Sequence, residues 1–373
     1  MASKKILIFS TSYFPMVGGA EVAIKEITSR ISTNESEWDM VTLRFDRNHP
    51  KFEKIGNVNV YRIGGGFGYL SKILFIPQAV AFALGRKYDL YWSMMTYMLF
   101  PIALARILGD KTPYVLTLQD GDPFEMVFNR WFILPFKPLL TYGFKNANRV
   151  QTISNFLAKW SKREDAIVIP NGVDLEKFRP HPVSSSRPSP SPRRGEGGEV
   201  VLITTSRLVE KNGVGDIIEA MKFLPENFKL RIIGSGSLEN NLKLKIRNLK
   251  LEGRIEMLGE VEHDEIPKQL NTADVFVRPS LSEGQGISFI EAMAAGLPVI
   301  ATPVGGIPDF LKDGETGLFV EPNSPRLIAF QVQKLVSDRV LRDKIIINAK
   351  RMVKEKYDWN LIAEEMKSKV FNV

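Results

Sequence analysis

Short, nearly continuous apolar runs alternate with amphipathic stretches along most of the 373-residue chain. Lys4–Ser10 opens the series, and an apolar run of that length bounded by turn residues reads as a strand buried on both faces. A Gly18-Gly19 turn follows, then a helical pattern over Ala20–Thr33. Further strands are expected at Met40–Phe45, Val58–Arg62, Leu90–Trp92, Tyr114–Leu118, Arg149–Thr152 and Ala166–Ile169. Helical patterns lie between most of them, which predicts a parallel sheet covered by helices.

The texture then breaks. Pro182–Glu199 reads PVSSSRPSPSPRRGEGGE, almost free of large apolar residues, and cannot bury enough surface to offset its ordering entropy. A solvated spacer is the plain reading; its arginines would also suit phosphate or lipid. A second series begins at Val200, with strands at Val200–Thr205, Lys229–Ile233, Ile255–Leu258, Val275–Val277 and Val299–Ala301. Helices are expected at Gly213–Met221, Leu238–Leu249 and Ile287–Ala295, and Pro325–Val373 is almost all helical pattern. The expected division is 1–174 and 200–355 as two Rossmann-like domains, 175–199 as linker, and 356–373 as a last helix returning to the first domain. Two such halves frame a cleft, and ligands of open α/β sheets bind outside the carboxyl ends of the strands.

Composition changes this picture only at the margins. Hydrophobic residues make up 44% and charged residues 25%, ordinary values for a soluble globular chain whose length suits two cores. There is no cysteine, which excludes disulfides, thiolate nucleophiles and zinc–thiolate sites and suits a reducing compartment. The first residues place two lysines before an apolar run, as a signal peptide does, but the run stops at Ser10 without a convincing cleavage site. No stretch has the length of a clean membrane span, so a cytoplasmic protein is expected. The formal charge of +8 would suit nucleic acid, anionic lipid or an anionic substrate. No zinc-finger spacing or aromatic RNA-binding strand accompanies it, which leaves a phosphate-bearing ligand or a membrane surface as the expected partner.

Candidate chemistry concentrates in Arg278–Ala301, RPSLSEGQGISFIEAMAAGLPVIA. A strand runs into a glycine-containing loop at Glu283–Gly286, and a helix begins near Ile287. Glu283 is expected in the loop facing the cleft and Glu291 about one helical turn further on, on the same side. Loop amides and a helix N-terminus favour an anion, and carboxylates suit vicinal hydroxyls such as those of ribose or a hexose. Two solvated acids are the plainer alternative. Arg207 and Lys211 follow another buried strand and precede a helix opened by glycine, a second place for phosphate. Gly18 and Gly19, followed by Glu21, would allow close backbone approach and positive φ. His49, His181 and His263 stand in polar or linker contexts without ligand spacing, and are read as surface residues rather than catalysts.

EGQGISFIEAMAAGLPVIATPVGGIPDFLKDGETGLFV resembles the signature of the family 4 retaining glycosyltransferases, which have the GT-B fold: α/β, two Rossmann-like domains facing a central cleft. PMVGGAE resembles the family's Gly-Gly donor loop, NGVD at Asn171–Asp174 the stretch leading into the linker, SRLVEKNG at Ser206–Gly213 its phosphate-binding segment, and IIGSG at Ile232–Gly236 its next strand and turn. The resemblance implies an acceptor-side first domain and a nucleotide-sugar-binding second domain. It implies that Glu291 holds the donor ribose, Glu283 the transferred sugar, and the amides of Gly286, Ile287 and Ser288 the sugar and diphosphate. Arg207 and Lys211 would clamp the diphosphate, the Gly18-Gly19 loop would reach its phosphates, and the main chain at Val261 would read the base.

Two departures matter. Gln119 stands where the family usually has histidine, and glutamine can bind a sugar hydroxyl but cannot act as a base. Asp120 and Asp122 then become candidate acceptor ligands or acid/base groups, or else simple turn residues. Asp-Gly-Asp also resembles the metal motif of the other large glycosyltransferase fold, but the arginine and lysine already supply positive charge, so no metal and no cofactor is expected. Asn129–Arg149, Tyr69–Leu84 and Tyr97–Leu108 are strongly apolar, the first also basic; they read either as helices on the sheet or as an interface with an anionic membrane carrying a lipid-linked acceptor. The expected activity is retaining, metal-independent transfer from a nucleotide sugar to a hydroxyl of a glycan or lipid-linked acceptor, in cell-surface polysaccharide or glycolipid synthesis. Rival readings are an epimerase of the same fold and a nucleotide-sugar-binding protein without catalysis.

Overall fold

A computed structural model describes residues 3–66, 70–119, 121, 134–179 and 198–373. Asp120, Asp122, Asn129 to Ile133 and the spacer from Pro182 to Gly197 lie outside the described residues. The chain forms two compact units, Met1–Asn171 with Trp359–Val373, and Gly172–Asp358.

The first unit is built on strands β1 (Lys4–Phe9), β2 (Ser36–Leu43), β3 (Phe52–Ile55), β4 (Val58–Ile63), β5 (Leu90–Met94), β6 (Tyr114–Leu118), β7 (Arg149–Thr152) and β8 (Ile167–Val168). They form one eight-stranded sheet in the order β3-β4-β2-β1-β5-β6-β7-β8. Every pairing is parallel except β3 with β4. This edge strand was not expected from the apolar pattern, because FEKI exposes half of its residues and carries two charges. β2 also starts four residues before the expected Met40. Its opening letters, SEWD, look polar, yet Trp38 is buried and Asp39 is satisfied inside by Asn59 Nδ2 at 2.9 Å and Tyr88 Oη at 2.8 Å. Pairing to β1 thus overrides a weak local pattern.

Helices α1 (Gly19–Arg30), α2 (Leu70–Leu84), α3 (Leu99–Ile107), α4 (Lys137–Lys145) and α5 (Asn155–Ser161) cover this sheet, with α3 packed between α2 and α4. The chain's last segment completes the unit. Phe371 packs on Trp92 with ring centroids 4.9 Å apart and on Trp38 at 5.6 Å, and Lys4 Nζ donates to its carbonyl at 2.7 Å.

The second unit holds β9 (Val200–Thr205), β10 (Phe228–Ile233), β11 (Ile255–Gly259), β12 (Val275–Arg278), β13 (Val299–Ala301) and β14 (Leu318–Phe319). Their order is β11-β10-β9-β12-β13-β14, all parallel. β14 is too short for an apolar pattern to reveal it. The connecting helices are α6 (Val214–Ala220), α7 (Glu239–Asn248), α8 (Ile266–Leu270), α9 (Ile287–Ala294), α10 (Pro325–Ser337) and α11 (Arg339–Lys356). Apolar residues pack on both faces of this sheet, as an all-parallel sheet requires. The loops at its carboxyl edge are where the candidate chemistry lies.

Candidate functional site

The floor of the site is an arginine that the motif reading passed over. Arg278 ends β12 and is 5% exposed. Its guanidinium pairs with the Glu283 carboxylate through Nη2, donates to Ser288 Oγ at 2.6 Å, to the Thr205 carbonyl at 3.3 Å and to Ser280 Oγ at 3.2 Å, and lies 4.2 Å from the centre of the Phe289 ring. A buried charge survives only when paired and hydrogen-bonded, and these partners meet that demand. Burial pulls its pKa below the ordinary arginine value; Glu283 and Glu291 pull it back up, and Arg207 pushes in the same direction as burial. Arg278, Arg207, Glu283 and Glu291 therefore share one electrostatic neighbourhood. An arginine closing an otherwise apolar strand, VFVR, is the sequence signal from which it could have been found.

Glu283 is fixed from both ends. Its side chain is held by Arg278, and its carbonyl accepts from Gly306 N at 3.1 Å. Beyond it, Gly286 adopts φ +83 at the head of α9, where a Cβ would come within 2.7 Å of Arg278 and closer still to Phe289. Glycine is thus required for both conformation and space. Gly286 at the N-cap brings no side chain to cap the first amides of α9, which include those of Ile287 and Ser288. The Ser288 hydroxyl accepts from Arg278. Such an uncapped N-terminus favours negative charge.

The Arg207–Lys211 loop is tied to the same edge. Buried Asn212 donates Nδ2–H to the Arg207 carbonyl at 2.7 Å, and the Lys211 carbonyl accepts from Leu281 N at 2.7 Å. Those bonds fix the backbone and leave the Arg207 side chain exposed. Val261 follows β11, half-buried against the apolar face that includes Phe276 and Phe289.

Glu291, the second motif glutamate, lies one turn into α9 and is 5% exposed. Its Oε1 is 2.7 Å from His263 Nε2. His263, expected at the surface away from the chemistry, instead sits partly buried between Glu291 and Lys177, whose Nζ is 3.1 Å from Nδ1. Its partners are distant in sequence, so neighbouring residues could not reveal the contact. His49 sits in a surface turn and its carbonyl accepts from Arg44 Nε at 2.9 Å; His181 lies outside the described residues.

The first unit brings its own candidates together. Gln119, just past β6, exchanges hydrogen bonds with Asn171: Nε2 donates to Oδ1 at 3.2 Å and Nδ2 donates to Oε1 at 3.0 Å. A Cβ on Gly19 would stand 4.0 Å from Asn171 Nδ2, ordinary contact. Gly18 does not take the expected positive φ. It is extended at φ −143, and a Cβ there would lie 2.9 Å from Oε2 at the tip of the Glu21 side chain. Glu21 accepts from Ser12 Oγ at 2.5 Å and braces this loop. Burial, then Glu21 and Glu26, raises the pKa of neighbouring Tyr13, which keeps it a phenol. Asp120 lies outside the described residues. Among the described residues no three His, Asp or Glu side chains gather as a metal site.

Residues 17–177 match the family described as Glycosyltransferase Family 4, and residues 190–352 match Glycosyl transferases group 1. The chain is 30% identical over 386 residues to an uncharacterized glycosyltransferase of Methanocaldococcus jannaschii, covering 97% of this chain and 96% of that protein. Among solved structures it resembles the sucrose-phosphate synthase of Thermosynechococcus elongatus, with a TM-score of 0.83, 21% identity, and 98% and 97% of the two chains covered. It also resembles Anabaena HepE in complex with UDP and glucose, with a TM-score of 0.79, 22% identity, and 99% and 100% covered.

Proposed function

The chain belongs to the glycosyltransferases of GT-B fold, a Family 4 segment followed by a group 1 segment, and from that premise we propose that it transfers a sugar, with retention, from a nucleoside diphosphate to a hydroxyl of a glycan or lipid-linked acceptor. The observation that carries the donor site is the cluster at the carboxyl edge of the second sheet. There the Arg278–Glu283 pair, Glu291, the uncapped start of α9 and exposed Arg207 meet around one floor. Glu291 takes the ribose hydroxyls and Glu283 those of the sugar. The amides of Gly286, Ile287 and Ser288 take sugar and diphosphate oxygens, and Val261 takes the base through its main chain. The UDP and glucose held by the Anabaena relative are consistent with a ligand of this class.

The chemistry follows from charge. The bond from the anomeric carbon to the diphosphate breaks, and a bond to the acceptor oxygen forms on the same face. The acceptor proton passes to a diphosphate oxygen. Negative charge grows on the leaving group, so Arg207 and Lys211 stabilise the transition state more than the ground state. Their charges do the work a divalent cation would otherwise do. In the first unit, the Gln119–Asn171 amide pair and the Gly18-Gly19 loop serve sugar and phosphate positioning, and Asp120 serves the acceptor. Gln119 cannot take a proton, which leaves that task to the diphosphate.

We also place the protein in the cytoplasm, peripheral to an anionic membrane. Among the described residues no helix is long and apolar enough to cross one. Supporting peripheral contact, Ile73, Leu74, Ile107, Leu108, Phe136 and Tyr142 are exposed on α2, α3, α4 and their ends. Incubation with isotopically labelled nucleotide sugars tests the central reading: a new glycoside with retained anomeric configuration supports it. An epimerised donor, or no product from any donor and acceptor pair, overturns it.

A further inference from the structure

We infer that His263 and Lys177 are positioning residues for Glu291, and that through it they set selectivity for ribose over deoxyribose in the bound nucleotide. The inference rests on the reading of Glu291 as the ribose carboxylate. It adds two residues to that site, one from the turn after β11 and one from the start of the second unit.

Four side chains form a line. Asp264 pairs with Lys177, Lys177 Nζ lies 3.1 Å from His263 Nδ1, and His263 Nε2 lies 2.7 Å from Glu291 Oε1. A lysine ammonium donates and cannot accept. Nδ1 must therefore accept from Lys177, which puts the ring proton on Nε2, donating to Glu291. The order of partners thus determines the tautomer. Phe178 packs beside the ring at 5.8 Å between centroids and limits its rotation.

Glu291 needs such a partner. A carboxylate 5% exposed on a helix, without a donor, would carry a large desolvation cost. Holding Oε1 also fixes the carboxylate plane. One oxygen is engaged by protein, and the remaining acceptor positions keep a set direction toward two adjacent ribose hydroxyls. Without the histidine, the carboxylate would turn among rotamers and bind hydroxyls loosely, as an unsupported metal ligand does when its outer partner is removed. Losing the ribose contact should erase discrimination between ribo- and deoxyribonucleotides while sparing the diphosphate contacts made elsewhere.

The experiment measures dissociation constants of the full-length protein for UDP, GDP and ADP, and for the 2′-deoxy and 3′-deoxy counterparts of whichever binds best. Hydrogen bonds to a charged group predict at least about tenfold preference for the ribonucleotide in the natural protein. His263→Phe should bring that preference to near unity. His263→Gln, which keeps a donor near the Nε2 position, should retain most of it. Lys177→Met should reduce it partly, by freeing the tautomer. Equal preference in the natural protein and His263→Phe overturns the positioning role and leaves the Glu291 reading standing. No preference in the natural protein overturns the Glu291 reading, and this inference with it. Melting temperatures identify any variant that fails to fold; should His263→Phe be such a one, unchanged preference in Lys177→Met is the overturning result.

Discussion

A Cβ placed on Gly305 would stand 1.8 Å from the Glu283 carbonyl oxygen. Gly305 has φ +57, and the next residue donates its N–H to that same carbonyl at 3.1 Å. The turn after β13 is therefore the mould for the Glu283 loop, and no side chain fits between them. Gly305→Ala should cost about 2–4 kcal/mol of stability, combining a disfavoured backbone region with overpacking. It should also lower turnover by displacing Glu283. Gly314→Ala is the control, because Gly314 has φ +68 with nothing within 4 Å of its Cβ position. Thermal unfolding and steady-state rates would be compared; equal effects of the two substitutions would refute the mould.

Arg207→Ala and Lys211→Ala should each lower turnover about 100-fold, equivalent to about 3 kcal/mol of transition-state stabilisation. Both residues sit in a loop whose backbone is held by Asn212 and by Leu281, so the fold should survive either truncation. Single-turnover rates at saturating donor are the readout. Folded variants with near-normal rates would remove both residues from the chemistry.

Arg278→Met should destabilise the second unit by about 3–5 kcal/mol, because it leaves the Glu283 carboxylate without its buried partner. Adding Glu283→Gln should recover part of that stability, since the uncompensated charge goes with it. Activity should not return, because Glu283 is also a sugar ligand in the proposed site. A double variant as unstable as the single one would mean that the pair is not the source of the cost.

What could be read from the sequence depended on whether the signal was local. The buried parallel strands announce themselves as apolar runs, as β1 and β9 show. β2 was half hidden because Asp39 and Ser36 are polar yet buried, and the partners of Asp39, Asn59 on β4 and Tyr88 just before β5, are distant in sequence. The spacing of Glu283 and Glu291 was visible, since both lie on one loop and helix. Their partners were not equally visible: Arg278 is five residues from Glu283, but His263 reaches Glu291 across 28 positions. Only folding β11 near α9 brings that contact about. Gly18 shows the converse, a residue singled out for its backbone freedom whose backbone is in fact extended, with the tip of the Glu21 side chain beside it.

Activity should survive excess EDTA. The proposed leaving-group charge is met by Arg207 and Lys211, so no divalent ion is required to neutralise it. Rates measured after dialysis against EDTA, with and without added Mg²⁺ or Mn²⁺, check this. Complete loss reversed by either ion would return Asp120 and Asp122 to the metal role that their spacing resembles.

The first unit should bind anionic vesicles weakly and in a salt-sensitive way. Its exposed apolar side chains cluster on adjoining helices: Ile73 and Leu74 on α2, Ile107 and Leu108 at the end of α3, Phe136 and Tyr142 at and within α4. Lys111 and Lys145 are exposed on the same elements or beside them. Apolar tips of this kind gain by entering the headgroup boundary, while nearby lysines stay at headgroup level. Each basic group near an anionic surface contributes about 1 kcal/mol, lost beyond a Debye length, which is about 10 Å at 0.1 M salt. Sedimentation with phosphatidylserine-containing vesicles should therefore show binding at low salt that fades at high salt. Ile107→Ser with Phe136→Ser should weaken it at both, without lowering the melting temperature, because neither side chain belongs to the core. Binding that survives high salt unchanged would point to apolar contact alone. Absence of binding at low salt would leave these helices as an ordinary outer layer of the sheet.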